Sequence, residues 1–176
     1  MSVSVTRVFD LLQYNLENFP KDDLFNSKIN GVWEKYSTQR LSDTVDRLSR
    51  GLIGLGMAKG SKVAVMSHNR PEWNITDFAI IQIGALQVPL YPTLAEHDIK
   101  FILENAEVSI IFLADEALYN KVKAVTEAND IPVRLYTFDQ VPGAENWLDL
   151  VEAGAVIKRL TCSLIVMRLA RKMCLP

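Results

Sequence analysis

Cysteine is nearly missing from this chain: 176 residues contain two, Cys162 and Cys174, both within the last fifteen positions. That excludes a disulfide framework and any Cys-based metal spacing, and it makes a reducing, cytoplasmic setting the expectation. Histidine is as scarce, with only His68 and His97. Positive charge is not in excess, since 19 bases face 21 acids, which argues against nucleic acid as a partner. No apolar run approaches the roughly twenty residues needed to span a bilayer. The first residues also lack the basic flank and apolar block of a secretory signal. No internal repeat or low-complexity linker interrupts the chain. The serines lack a nucleophile elbow and the cysteines lack a nearby base. What is left, at 49% hydrophobic and 23% charged, is the composition of one globular domain.

The most ordered stretch runs from Lys59 to Thr93. Lys62–Met66 is a short apolar run bounded by Gly60-Ser61 and by Ser67–Arg70, which reads as a buried strand. Pro71 and Glu72 open a helix, proline at its first position and an acid in its first turn. From Trp73 to Leu86 that helix is apolar on nearly every side, so it is expected to be buried. Residues 87–91 read as a second strand. Strand, helix and strand in so short a span make a βαβ unit, and therefore a parallel sheet.

Similar signals continue on both sides. Val8, Leu12, Leu16 and Phe19 fall at helical spacing before Pro20. Residues 24–27 and 32–36 are strand-like across Asn30-Gly31, which predicts a β-hairpin. Its aromatics, Trp33 and Tyr36, are expected to pack on a helix rather than form a ligand platform. Leu41, Val45, Leu48, Leu52 and Leu55 mark the cleanest amphipathic helix, with Ser37 or Thr38 as its cap. Gly51, Gly54, Gly56 and Gly60 do not form a dinucleotide loop, because they end a helix instead of following a strand. They predict close helix packing and a helix C-terminus. Thr93 and Glu96 suggest a capping box for a helix through Asn105. Strands at 108–113 and 132–136 alternate with a helix capped by Asp115, and a short helix is expected around 145–152. The predicted fold is α/β: a Rossmann-like parallel sheet flanked by helices, with an N-terminal β-hairpin.

Particular segments resemble a known family. Leu55-Gly-Met-Ala-Lys-Gly-Ser-Lys-Val-Ala64, Asn69-Arg70-Pro71-Glu72-Trp73, and Gly84-Ala85 followed by Val88-Pro89-Leu90-Tyr91-Pro92-Thr93 look like the N-terminal region of adenylate-forming, AMP-binding acyl-CoA synthetases. Long-chain fatty acid–CoA ligases are the most similar. The resemblance covers roughly residues 5–155. It implies an incomplete N-terminal domain of the acyl-CoA synthetase fold. It also implies a parent activity in which ATP and Mg²⁺ activate a fatty acid to an acyl-adenylate before transfer to CoA, and a membrane-peripheral parent enzyme. In such ligases a phosphate loop of the form YTSGTTGxPKG follows, and this chain has no counterpart to it. The chain alone is therefore expected to bind no cofactor and to be inactive. A stand-alone α/β binding or interaction module is the alternative.

Residues 1–157 carry a net charge of −7 and residues 158–176 carry +5 with no acid. The expected division is an α/β part over 1–157 and a basic, apolar tail over 158–176 that is not family sequence. No catalytic or metal residue is predicted. His68 lies where open sheets bind ligands, with Glu72 as its one nearby acid, but reads as a solvated loop residue; His97 reads as surface. Asn69, Arg70, Trp73, Tyr91 and Thr93 match the family pattern at strand ends and form the expected ligand-facing surface.

Overall fold

The computed structural model describes residues 5–157, residue 30 excepted. The tail from residue 158 onward lies outside the described residues.

Helix α1 (Asp10–Asn18) is followed by β1 (Phe25–Ile29) and β2 (Val32–Tyr36), an antiparallel pair whose register places Ile29 opposite Val32. Gly31 there takes φ +84°, the left-handed region a tight hairpin demands. Helix α2 (Thr38–Gly54) starts under Ser37, whose Oγ accepts the Arg40 amide at 3.0 Å. Next come β3 (Lys62–Met66), α3 (Pro71–Gln82), β4 (Leu86–Leu90), α4 (Glu96–Asn105), β5 (Ile110–Leu113), α5 (Glu116–Ala128), β6 (Arg134–Thr137), β7 (Glu145–Asn146) and α6 (Trp147–Val156). The five later strands form one parallel sheet in the order β4-β3-β5-β6-β7.

Alternation along the strands divides the core in two. Val63, Val65, Ile110, Phe112, Tyr136 and Phe138 pack with α2, α3 and α6. Ala64, Met66, Leu90, Ile111 and Leu113 pack with α4 and α5 on the other face. On the first face α2 meets α6 without side chains between them. A Cβ on Gly51 would overlap the Leu150 carbonyl, and one on Gly154 the Arg47 carbonyl. Close packing is thus what Gly51 is for. Gly56, at φ +87°, carries the chain out of α2 instead.

Pro89 sits in an edge strand. The Leu86 amide donates to Ser61 O beside β3 at 2.8 Å, so Leu86, Val88 and Leu90 turn their amides inward. Residue 89 therefore has its nitrogen facing outward, where a missing N–H costs no ladder bond and discourages a further strand.

Several expectations need correction. The helix after Thr93 begins three residues later, capped by Ala95 without a side-chain bond, so Glu96 is its first residue and cannot close a box on Thr93. The real capping box is Asn146 with Asp149, its Asn and Asp doing what Thr and Glu do in the commoner pattern. Residues 145–146 are strand before α6 begins. Helix α3 stops at Gln82 because Gly84 turns left-handed at φ +75°, and Leu86 is an exposed strand residue. Tyr36 packs in the core, whereas Trp33 is exposed with the Lys28 ammonium 6.0 Å from its ring. In α1 only Leu12 of the apolar stripe is buried; Val8 and Phe19 face solvent.

Candidate functional site

All five parallel strands end on the same side, and the loops there carry the residues singled out from sequence. A cleft of about 370 Å³ opens between the ends of β3 and β4. It is lined by Ser67, His68 and Asn69 from the loop after β3, Trp73 from the first turn of α3, and Pro89–Pro92 from the end of β4. No lining side chain is a carboxylate, lysine or arginine. Tyr91 stands at its rim with 78% of its surface exposed.

Of the five residues expected to form a ligand-facing surface, Asn69, Trp73 and Tyr91 line this cleft. Thr93 lies beyond its lining, in the turn before α4. Arg70 turns away from it. Pro71 holds Arg70 in extended backbone, φ −157° and ψ 158°, as the residue before a proline requires. From there the guanidinium reaches Glu72 at 2.8 Å, the Ala114 carbonyl at 3.1 Å and Asp139 at 3.0 Å, and lies 5.3 Å from the Phe138 ring centroid. Burial alone would lower its pKa. The Glu72 bond and charge, then those of Asp139, outweigh that and hold it above the ordinary arginine value.

Glu72, engaged by Arg70, is not a partner for His68. Ser67 donates its hydroxyl to the His68 carbonyl at 2.8 Å, so neither residue is arranged as a nucleophile and base. His97 is exposed, with Asp98 at 3.2 Å. Asp115 caps α5 through the Leu118 amide at 2.9 Å, and Asp139 receives Arg70. Tyr36, nearby in the core, has its phenol pushed up to about 12 by burial, with the Glu72 carboxylate adding to the shift. Sequence reasoning missed Pro89, Leu90 and Pro92 as cleft residues. Their signal was present, since an edge strand ending in Pro-Leu-Tyr-Pro exposes rigid apolar surface. Among the described residues, no group of three or more His, Cys, Asp or Glu could hold a metal, and no helix is long and apolar enough to cross a membrane.

The sequence profile of the family described as "AMP-binding enzyme" matches residues 12–158, most of the chain. The chain belongs to the AMP-binding enzyme family. Among curated relatives, the long-chain-fatty-acid–CoA ligase FadD15 of Mycobacterium tuberculosis is 29% identical over 148 residues, 82% of this chain and 24% of that protein. Long chain acyl-CoA synthetase 4 of Arabidopsis thaliana is 26% identical over 140 residues, 76% of this chain and 21% of that one. The chain thus spans about a quarter of the length of these AMP-binding relatives. Its fold matches an anthranilate CoA ligase solved with anthranoyl-AMP at a TM-score of 0.70 and 18% identity, covering 82% of this chain and 27% of that one. A benzoate CoA ligase from Burkholderia xenovorans matches at 0.66 and 16% identity, covering 81% and 27%.

Proposed function

We propose that this member of the AMP-binding family is the N-terminal portion of a long-chain fatty acid–CoA ligase, and that residues 1–176 alone do not adenylate a fatty acid. The observation that carries the reading is the 29% identity to a long-chain-fatty-acid–CoA ligase across 148 residues that make up only 24% of that enzyme. In the parent reaction ATP, with Mg²⁺, activates the fatty acid and CoA receives the acyl group. On this reading residues 1–157 are the family's N-terminal α/β part, and residues 158–176 are a basic, apolar tail that is not family sequence. Asn69, Trp73 and Tyr91 form the ligand-facing surface, flanked by Arg70 and Thr93.

Chemistry supports the inactivity. Adenylation requires a carboxylate held in line with the α-phosphate, and cationic donors to meet the charge that develops on pyrophosphate. The cleft lining holds no cation, and Arg70 is already engaged by two carboxylates. Lys62, which pairs with Glu107 at 3.2 Å, lies at the opposite end of the sheet. Loss of a single preorganised donor costs on the order of a hundredfold or more in rate. The test is fatty-acid-dependent exchange of labelled pyrophosphate into ATP by the purified chain, with a full-length ligase as positive control. Exchange at the level of a no-protein blank is expected; exchange clearly above it would overturn the reading.

A further inference from the structure

We propose that Arg70 is the positioning residue of the cleft: its guanidinium spans the carboxyl ends of β3, β5 and β6 and fixes the 67–70 loop so that Ser67, His68 and Asn69 face the space beside Trp73 and Tyr91. The proposal stands apart from the ligase reading and holds whatever the cleft binds.

β3 lies between β4 and β5, and the chain leaves β3 toward β4 but leaves β5 toward β6. The crevice between the ends of β3 and β5 is therefore the switch point of the sheet, where open α/β folds ordinarily take their ligands. Here the chain fills that crevice with its own side chain. Arg70 leaves the end of β3, crosses to the carbonyl of Ala114 just after β5, and continues to Asp139 just after β6. Its Nε is held by Glu72 on α3, and its guanidinium carbon lies over the Phe138 ring.

Three features distinguish this from an ordinary surface ion pair. The Arg70 side chain is only 21% exposed, and Glu72 only 9%. The contacts come from three separate places, α3 and the loops after β5 and β6, so they fix a plane rather than a distance, which only a guanidinium fork can do. The positive charge is met by two carboxylates, leaving an anionic ligand nothing to gain at the switch point. The open space lies instead on the flank, between β3 and β4, and Arg70 forms the far wall of the loop that borders it. The same backbone that Pro71 fixes at Arg70 also places Asn69 and Trp73 on the cleft side.

The test is two-dimensional ¹H–¹⁵N NMR of the full chain, reading the backbone amides of Ser67–Asn69 and the Trp73 indole, alongside thermal melting. Arg70→Met keeps an unbranched apolar stem and removes every side-chain donor. Arg134→Met is the comparison, since it breaks another arginine–carboxylate pair at 2.8 Å whose arginine also lies near an aromatic ring, Tyr136 at 5.6 Å. With Arg70→Met the cleft signals are expected to move by more than a line width well below the melting temperature. Exchange at the Ala114–Asp139 strand ends should quicken roughly tenfold, the equivalent of one lost charge-assisted hydrogen bond. With Arg134→Met the cleft signals should stay in place. If Arg70→Met does not fold, Arg70→Lys decides in the same way, because one ammonium cannot span three partners. Unmoved cleft signals in a folded Arg70 variant, whatever its melting temperature, would overturn the proposal.

Discussion

The crossing of α2 and α6 gives the most quantitative prediction. Gly154→Ala places a methyl group against the backbone carbonyl of Arg47, with the Gly51 nitrogen 2.8 Å away, and backbone atoms cannot rotate aside. The two helices must separate. Overpacking of this kind costs about 1–3 kcal/mol. Separation also stretches the 2.7 Å bond from Arg50 Nε to the Gly154 carbonyl, and hydrogen bonds to charged groups contribute about 1.5–3 kcal/mol. Alanine returns up to about 1 kcal/mol of helix propensity. The net loss is about 2–4 kcal/mol, and melting should fall by roughly 5–15 °C for a chain of this size. Gly54→Ala, at the end of α2, is the control within the same helix pair, because its new methyl meets only the Ile157 side-chain tip at 3.2 Å. That variant should match the wild type or exceed it slightly. Urea and thermal unfolding measure both. A Gly154→Ala variant melting at or above the wild type would refute the close-packed crossing.

Two further predictions concern the N-terminal helix and the sheet edge. Burial pushes the Asp10 carboxyl up, but the Arg7 guanidinium and the amides of Thr6 and Arg7 outweigh it and set the pKa at about 2. A folded value below the ordinary 3.8 means that this stabilisation is present above about pH 4 and is lost as pH falls toward 2. The protection factors of the α1 amides, with the intrinsic pH dependence of exchange divided out, should therefore fall across that window in the wild type and stay flat across it in Asp10→Asn. At the edge, Pro89→Val restores an outward N–H that no partner uses, so stability should drop by no more than about 1 kcal/mol, the loss of proline's effect on the unfolded chain. A loss of several kcal/mol in denaturant titration would mean that the β4 register has been misread.

Much of the fold was legible because two periodicities dominate the sequence. The Leu41–Leu55 stripe and the Val63–Met66 run each fit one period only, and both elements fold as that period dictates. Boundaries were less legible where tertiary contacts choose among local signals. Thr93-x-x-Glu96 had the residues of a capping box, but the chain turns once more after Tyr91, with the Leu94 amide donating to the Tyr91 carbonyl, before the helix begins. Glu145-Asn146 carries no strand propensity and becomes a strand only by pairing with Tyr136 and Thr137 of β6. The site followed the same pattern. Asn69, Trp73 and Tyr91 could be placed at strand ends from sequence alone. Where the Arg70 side chain goes could not, because its partners Ala114 and Asp139 are 44 and 69 residues away.

The most direct test of the ligase reading is a chimera. Residues 12–158 of this chain replace the matching segment of the FadD15 ligase of Mycobacterium tuberculosis, and formation of a long-chain acyl-CoA thioester is measured with ATP, Mg²⁺ and CoA. Circular dichroism and a cooperative melt first establish that the chimera folds. If this segment is the N-terminal scaffold of a fatty acid–CoA ligase, thioester should form, and Trp73→Ala within the chimera should reduce it. A folded chimera that forms no thioester would contradict the account.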